Sequence, residues 1–69
     1  MTFEERINQV IQDHAATKAA IAKQMEIPYT SFLYKCKDIH RLSVLEFRKF
    51  SEILRLTEEE EDFLCGRVK

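Results

Sequence analysis

Tyr29, Thr30, Tyr34 and Lys37 follow one another at intervals of one, four and three residues, a spacing that lines side chains along one side of an α-helix. Two phenols, a hydroxyl and an ammonium together make a hydrogen-bonding and stacking surface. Thr and Tyr can contact base edges or a thymine methyl, and Lys can reach phosphate or the acceptors of guanine. Leu33 falls on the flank of this face and Arg41 lies in the connection that follows. The competing role for the tyrosines is to cover the domain's own core with their hydroxyls in water.

No other group of residues makes a reactive set. The chain has no carboxylate pair, Ser/His/Asp or Cys/His constellation and no Gly-rich phosphate loop, so an enzyme is not expected and no catalytic residue is assigned. Cys36 and Cys65 lack the spacing of a zinc site and are too few for a disulfide scaffold; both are expected as reduced, partly buried thiols. His14 is expected on the surface near a helix C-terminus, where the dipole favours a cation. His40 has no partner at ligand spacing. Neither a metal, a cofactor nor a small-molecule substrate is implied.

The elements that must position the Tyr29 face are short helices. With 69 residues, 45% of them apolar, the chain is expected to form a single domain over residues 1–69, with one core and no deep cavity. Such a core leaves about 3–5 kcal/mol of net stability. One Gly and one Pro, and no period-2 alternation, predict helix nearly throughout. The apolar runs are too short to span a bilayer and the N-terminus does not read as a signal peptide, so a cytoplasmic protein with no membrane partner is expected.

The formal charge of −1 conceals a strong local imbalance. Residues 14–49 hold Lys18, Lys23, Lys35, Lys37, Arg41, Arg48 and Lys49 against Glu26, Asp38 and Glu46, a local +4. Both flanking segments are negative. Basic charge therefore sits in the segment that carries the Tyr29 face, where a phosphate-facing surface needs it.

Three capping boxes mark helix starts: Thr2 with Glu5, Ser43 with Glu46, and Thr57 with Glu60. Helix 1 presents Phe3, Ile7, Val10 and Ile11 to the core, leaves Glu4, Asn8, Gln12 and Asp13 in water, and ends near His14. Helix 2, capped by Thr17, runs to Met25 with Ile21, Ala22 and Met25 inward. A turn at Met25-Glu26-Ile27 gives Glu26 a left-handed backbone, the chain's one clear local misfit, at about 1–2 kcal/mol. Pro28 then opens helix 3, which runs to Lys37 with Phe32 and Cys36 inward. Phe47, Phe50, Ile53 and Leu54 form the stripe of helix 4, and Phe63, Leu64 and Val68 that of helix 5, ended by Gly66. The acidic run Glu58 to Asp62 is expected to cap helix 5 and face solvent.

The segments 18–25 (KAAIAKQM), 27–33 (IPYTSFL) and 54–60 (LRLTEEE) together resemble the lambda repressor and Cro-like (XRE) helix-turn-helix family. The resemblance implies an all-α, compact five-helix lambda-repressor-like domain in which helices 2 and 3 form a helix-turn-helix. It implies double-stranded operator DNA as partner, bound as a homodimer on two half-sites. Carried onto this chain, the DNA-binding positions are Thr17, through its backbone amide, and Lys18, with Tyr29, Thr30 and Tyr34 reading bases and Lys37 on the backbone. Leu33 and Arg41 complete the set. The chain departs from the family pattern at Lys18, Glu26 and Lys35, which stand where glutamine, glycine and an apolar residue are usual.

The expected function is that of a sequence-specific regulator of transcription, of the small repressor type. The alternative is a protein-interaction module of the same fold, antitoxin-like or anti-repressor-like, motivated by the near-neutral charge and the acidic C-terminal helix. For a dimer, Phe63, Leu64 and Val68 are candidate interface residues and equally candidates for the core.

Overall fold

The computed structural model describes residues 2–66. They fold into five helices: α1 (Phe3–Asp13), α2 (Lys18–Gln24), α3 (Tyr29–Lys35), α4 (Val44–Leu54) and α5 (Glu58–Leu64), with a 3-10 turn at Ile39–Arg41 before α4. The class is all-α, with no strand among the described residues.

Helix starts follow from side-chain chemistry. The Thr2 hydroxyl accepts the Glu5 N–H at 3.2 Å while the Glu5 carboxylate accepts the Thr2 N–H at 3.1 Å. Ser43 with Glu46 and Thr57 with Glu60 repeat this reciprocal arrangement, and each satisfies two helix-end donors that would otherwise need water. Thr17 caps α2 alone, accepting from the Ala20 N–H. Pro28 opens α3 through its fixed φ of −61° and without a side-chain bond.

Helix ends are decided by the backbone. Ala15, Glu26 and Arg55 all take positive φ, at 52°, 61° and 54°, so the single misfit expected at Glu26 is one of three. Each belongs to the same closing motif. Ala16, Ile27 and Leu56 return their N–H groups to the carbonyls of Ile11, Ala22 and Ser51, five residues back, at 3.0–3.1 Å. All three also pack on the core, supplying the apolar contact that accompanies this cap. The strain of a left-handed non-glycine residue is thereby offset by satisfied carbonyls and by partly buried side chains packed on the core. Gly66, with φ of 75°, follows α5.

Ile7, Val10, Ile11, Ile21, Ala22, Met25, Phe32, Cys36, Phe50 and Leu64 form the core. Phe32 and Phe50 meet at its centre, ring centroids 6.2 Å apart, which joins α3 to α4. α2 packs on α3 and α1 on α5. Phe3, Phe47, Ile53, Leu54 and Phe63 pack around the rim, half-buried.

Several surface residues differ from expectation because neighbouring helices approach them. Asn8 is half-buried, with its Oδ1 shielded from water and unpaired among the described residues. His14 sits 2.6 Å from the Glu60 carboxylate, tying the end of α1 to the start of α5. Glu61 accepts the Ser51 hydroxyl at 2.6 Å. The acidic run of α5 is therefore only partly a solvated face. Leu64 is buried and belongs to the core rather than to an interface. Phe63 lies under the Arg6 guanidinium at 5.9 Å, and Val68 falls outside the described residues.

Candidate nucleic-acid interface

α3 is held from below by two side chains one turn apart, Phe32 and Cys36, both buried. That anchor fixes the rotation of the helix. Tyr34 consequently points away from the core, 58% exposed, with Thr30 exposed beside it; Tyr29 lies one turn before Phe32 on the anchored side and is 48% exposed as the first residue of the helix. α3 ends at Lys35, two residues earlier than expected: the Cys36 N–H still makes a helical bond to the Phe32 carbonyl, but the Lys37 N–H turns to the Tyr34 carbonyl, three residues back. Lys37 thus lies just beyond the helix, still exposed.

The remaining candidates divide by burial. Thr17 is exposed, while Lys18 and Leu33 are half-buried. Lys18 lies near enough to Cys36 for its charge to favour the thiolate, yet burial dominates and pushes the Cys36 thiol up to about 11. That thiol is a packing group, inert at neutral pH. The Lys35 ammonium meets the Glu46 carboxylate at 2.8 Å. This ion pair neutralises Lys35 locally and pins α3 to the start of α4. The Lys35 bond and the Ser43 N–H together hold the Glu46 carboxyl below its usual range.

Arg41 is brought to the face by the 3-10 turn. Its guanidinium lies 4.1 Å from the centre of the Tyr34 ring, and its Nη1 donates to the Tyr34 carbonyl at 3.3 Å. The turn itself is set by Asp38, whose Oδ1 accepts the His40 N–H at 2.9 Å. Tyr29, Thr30, Tyr34, Lys37 and Arg41 therefore share one neighbourhood around the exposed side and end of α3.

No protein-family profile, curated protein or solved structure matches this chain.

The chemistry available to the face is recognition. Two phenolic hydroxyls, one threonine hydroxyl and the cations of Lys37 and Arg41 can bond acceptors and stack on planar groups. Among the described residues no three His, Cys, Asp or Glu side chains gather to hold a metal, and no helix is long and apolar enough to cross a membrane.

Two exposed residues escaped the sequence reading: Val44 and Leu45, 74% and 78% exposed at the start of α4. A signal for them exists. At roughly 100° per residue they fall about 120° and 140° around the helix from Phe50, off the core stripe.

Proposed function

We propose that this protein is a sequence-specific double-stranded DNA-binding regulator of transcription, with α3 as the element that reads the major groove. One observation carries the reading. The buried Phe32 and Cys36 hold α3 so that Thr30 and Tyr34 face outward, Tyr29 is half exposed at its first residue, and Lys37 and Arg41 stand at its end, in a segment with a local charge of +4. A polar, aromatic helix face edged by cations suits base edges in a groove lined by phosphate. Regulation would act by occupancy, the bound protein excluding others from the same site. The lambda repressor-like arrangement, with α2 and α3 as the helix-turn-helix, is part of this proposal and is supported by the packing of α2 on α3 across the Glu26 turn.

Selection of bound duplexes from a random library tests it. The expected outcome is an enriched consensus whose binding weakens steeply with salt. Thr30→Val should then relax preference at one position by about 1–3 kcal/mol, while Lys37→Ala should weaken all sequences alike. Absence of any salt-sensitive duplex binding at low ionic strength would overturn the reading.

A further inference from the structure

We propose that the groove between α1 and α5 docks a basic segment of another protein through one apolar side chain. Val10 and Phe63 form its floor, and Gln9, Asp13, Glu59 and Glu60 line its sides. Its volume of about 230 Å³ lies below the roughly 300–1,000 Å³ of a small-molecule site and suits a single apolar anchor of a partner. Among the described residues that line it none is a cation. The nearest, Arg6, lies over Phe63 with its Nη1 beside Gly66, at the far end of α5.

The acids of α5 stand where their own helix favours them, at its positive end. Asp13 does not. It closes α1 at the negative end of that helix, where an anion is disfavoured, and the last turn holds no basic residue to offset it. The Gln9 amide bonds one of its oxygens at 2.9 Å and leaves the charge in place. Glu60 is engaged by His14 and Thr57, whereas Asp13 and Glu59 join no ion pair among the described residues. Two uncompensated carboxylates, one from each helix, therefore flank the apolar floor. An apolar side chain with lysine or arginine on either side of it complements all three.

The same features turn other occupants away. Phosphate would meet like charge, and no three His, Cys, Asp or Glu side chains gather for a metal among the described residues. A second copy would bring its cations from a different surface, such as Lys37 and Arg41 beyond α3, in a head-to-tail contact without two-fold closure. The groove belongs to the α1 and α5 pair and the Tyr34 face to the α2 and α3 pair, so the inference goes beyond the proposed function and holds whether or not α3 binds duplex.

Titration of the isotope-labelled full chain tests it, using a helical peptide of about 15 residues with leucines along one face and lysines beside them. Saturable amide shifts at Gln9, Asp13, Glu59 and Phe63 are expected, with a Kd below about 1 mM. Asp13→Asn and Glu59→Gln together should weaken binding at least about tenfold. Asp13→Asn alone should leave the melting temperature unchanged or raise it, because the carboxylate opposes the α1 dipole. A peptide of the same composition with its leucines scattered, and one with glutamate for lysine, should both bind far more weakly. The inference is overturned if no saturable shift occurs, if either control peptide binds equally well, or if the double substitution changes nothing. A lower melting temperature for Asp13→Asn also overturns it, by making Asp13 a structural group. Shifts at these residues that follow chain concentration or added duplex in place of peptide overturn it in favour of a second copy or of nucleic acid.

Discussion

Arg41 stacks on Tyr34 at 4.1 Å and bonds the carbonyl of the same residue. One contact holds the face of the guanidinium and the other holds an edge, so the cation is fixed beside the last turn of α3. Tyr34 serves as a platform as well as a hydroxyl donor.

Tyr34→Phe keeps that platform and Tyr34→Leu removes it. If Arg41 meets phosphate from this position, Tyr34→Leu should weaken duplex binding by about 0.5–2 kcal/mol, the worth of a cation–π contact. Tyr34→Phe should change base preference while leaving the salt dependence intact. Arg41→Ala should lower the slope of log affinity against log salt by about one. In the Arg41→Ala background Tyr34→Leu should lose only what its hydroxyl contributes, because the stacking contact is already gone. Titrations at several salt concentrations read all four effects.

The Phe32 and Phe50 pair fixes the orientation of the candidate face, and its loss should be felt globally. Phe50→Ala is expected to cost about 3–5 kcal/mol, comparable to the whole stability of a domain this small. Urea unfolding should find the variant largely unfolded at 25 °C. A substantially folded variant would show that α3 is held by some other contact.

Ala15 and Glu26 occupy left-handed backbone, which glycine adopts without strain. Ala15→Gly and Glu26→Gly should each stabilise by up to about 1 kcal/mol, the relief of strain being partly cancelled by the freer unfolded chain. Glu26 also gives up an exposed pairing with Lys49 at 3.8 Å, which is worth little. Thermal unfolding should show both variants melting a few degrees higher.

Glu5, Glu46 and Glu60, the acids of the three capping boxes, are all held below the usual carboxyl value of 4.5 in the fold. For Glu5 the main cause is the Thr2 N–H, for Glu46 the bond from Lys35, and for Glu60 the Thr57 N–H, with His14 next. A carboxyl that is more acidic folded than unfolded stabilises the protein above the unfolded value, and that stability is lost as pH falls through the folded one. Melting temperature should therefore be steady near neutrality and fall below about pH 4.5. Glu46→Gln should flatten that fall, since it removes the carboxylate shared by Lys35 and Ser43.

Local chemistry made much of this fold legible in advance. The capping boxes needed only residue type and a three-residue spacing, so the starts of α1, α4 and α5 could be placed directly. The inward sets Ile21, Ala22, Met25 and Phe32, Cys36 followed from periodicity alone. The outward direction of Thr30 and Tyr34 followed with them, because the opposite side of α3 was already taken; the exposure of Tyr29 comes from its place at the helix start.

What the sequence determined by itself was therefore the helical content, the helix starts and which face of α3 turns outward, since each depends on residues within a turn or two of one another. Tertiary structure alone decided which charges remain free and that Ala15 and Arg55 join Glu26 in left-handed backbone. Lys35 and Glu46 are eleven residues apart and His14 and Glu60 forty-six; only packing brings such groups within bonding distance. Likewise Arg41 reaches Tyr34 because Asp38 shapes the turn between them, and Ala15, Glu26 and Arg55 are tolerated because the apolar residue after each packs against the core. Interactions between distant segments depend on how helices meet, and that is settled by the shared core around Phe32 and Phe50.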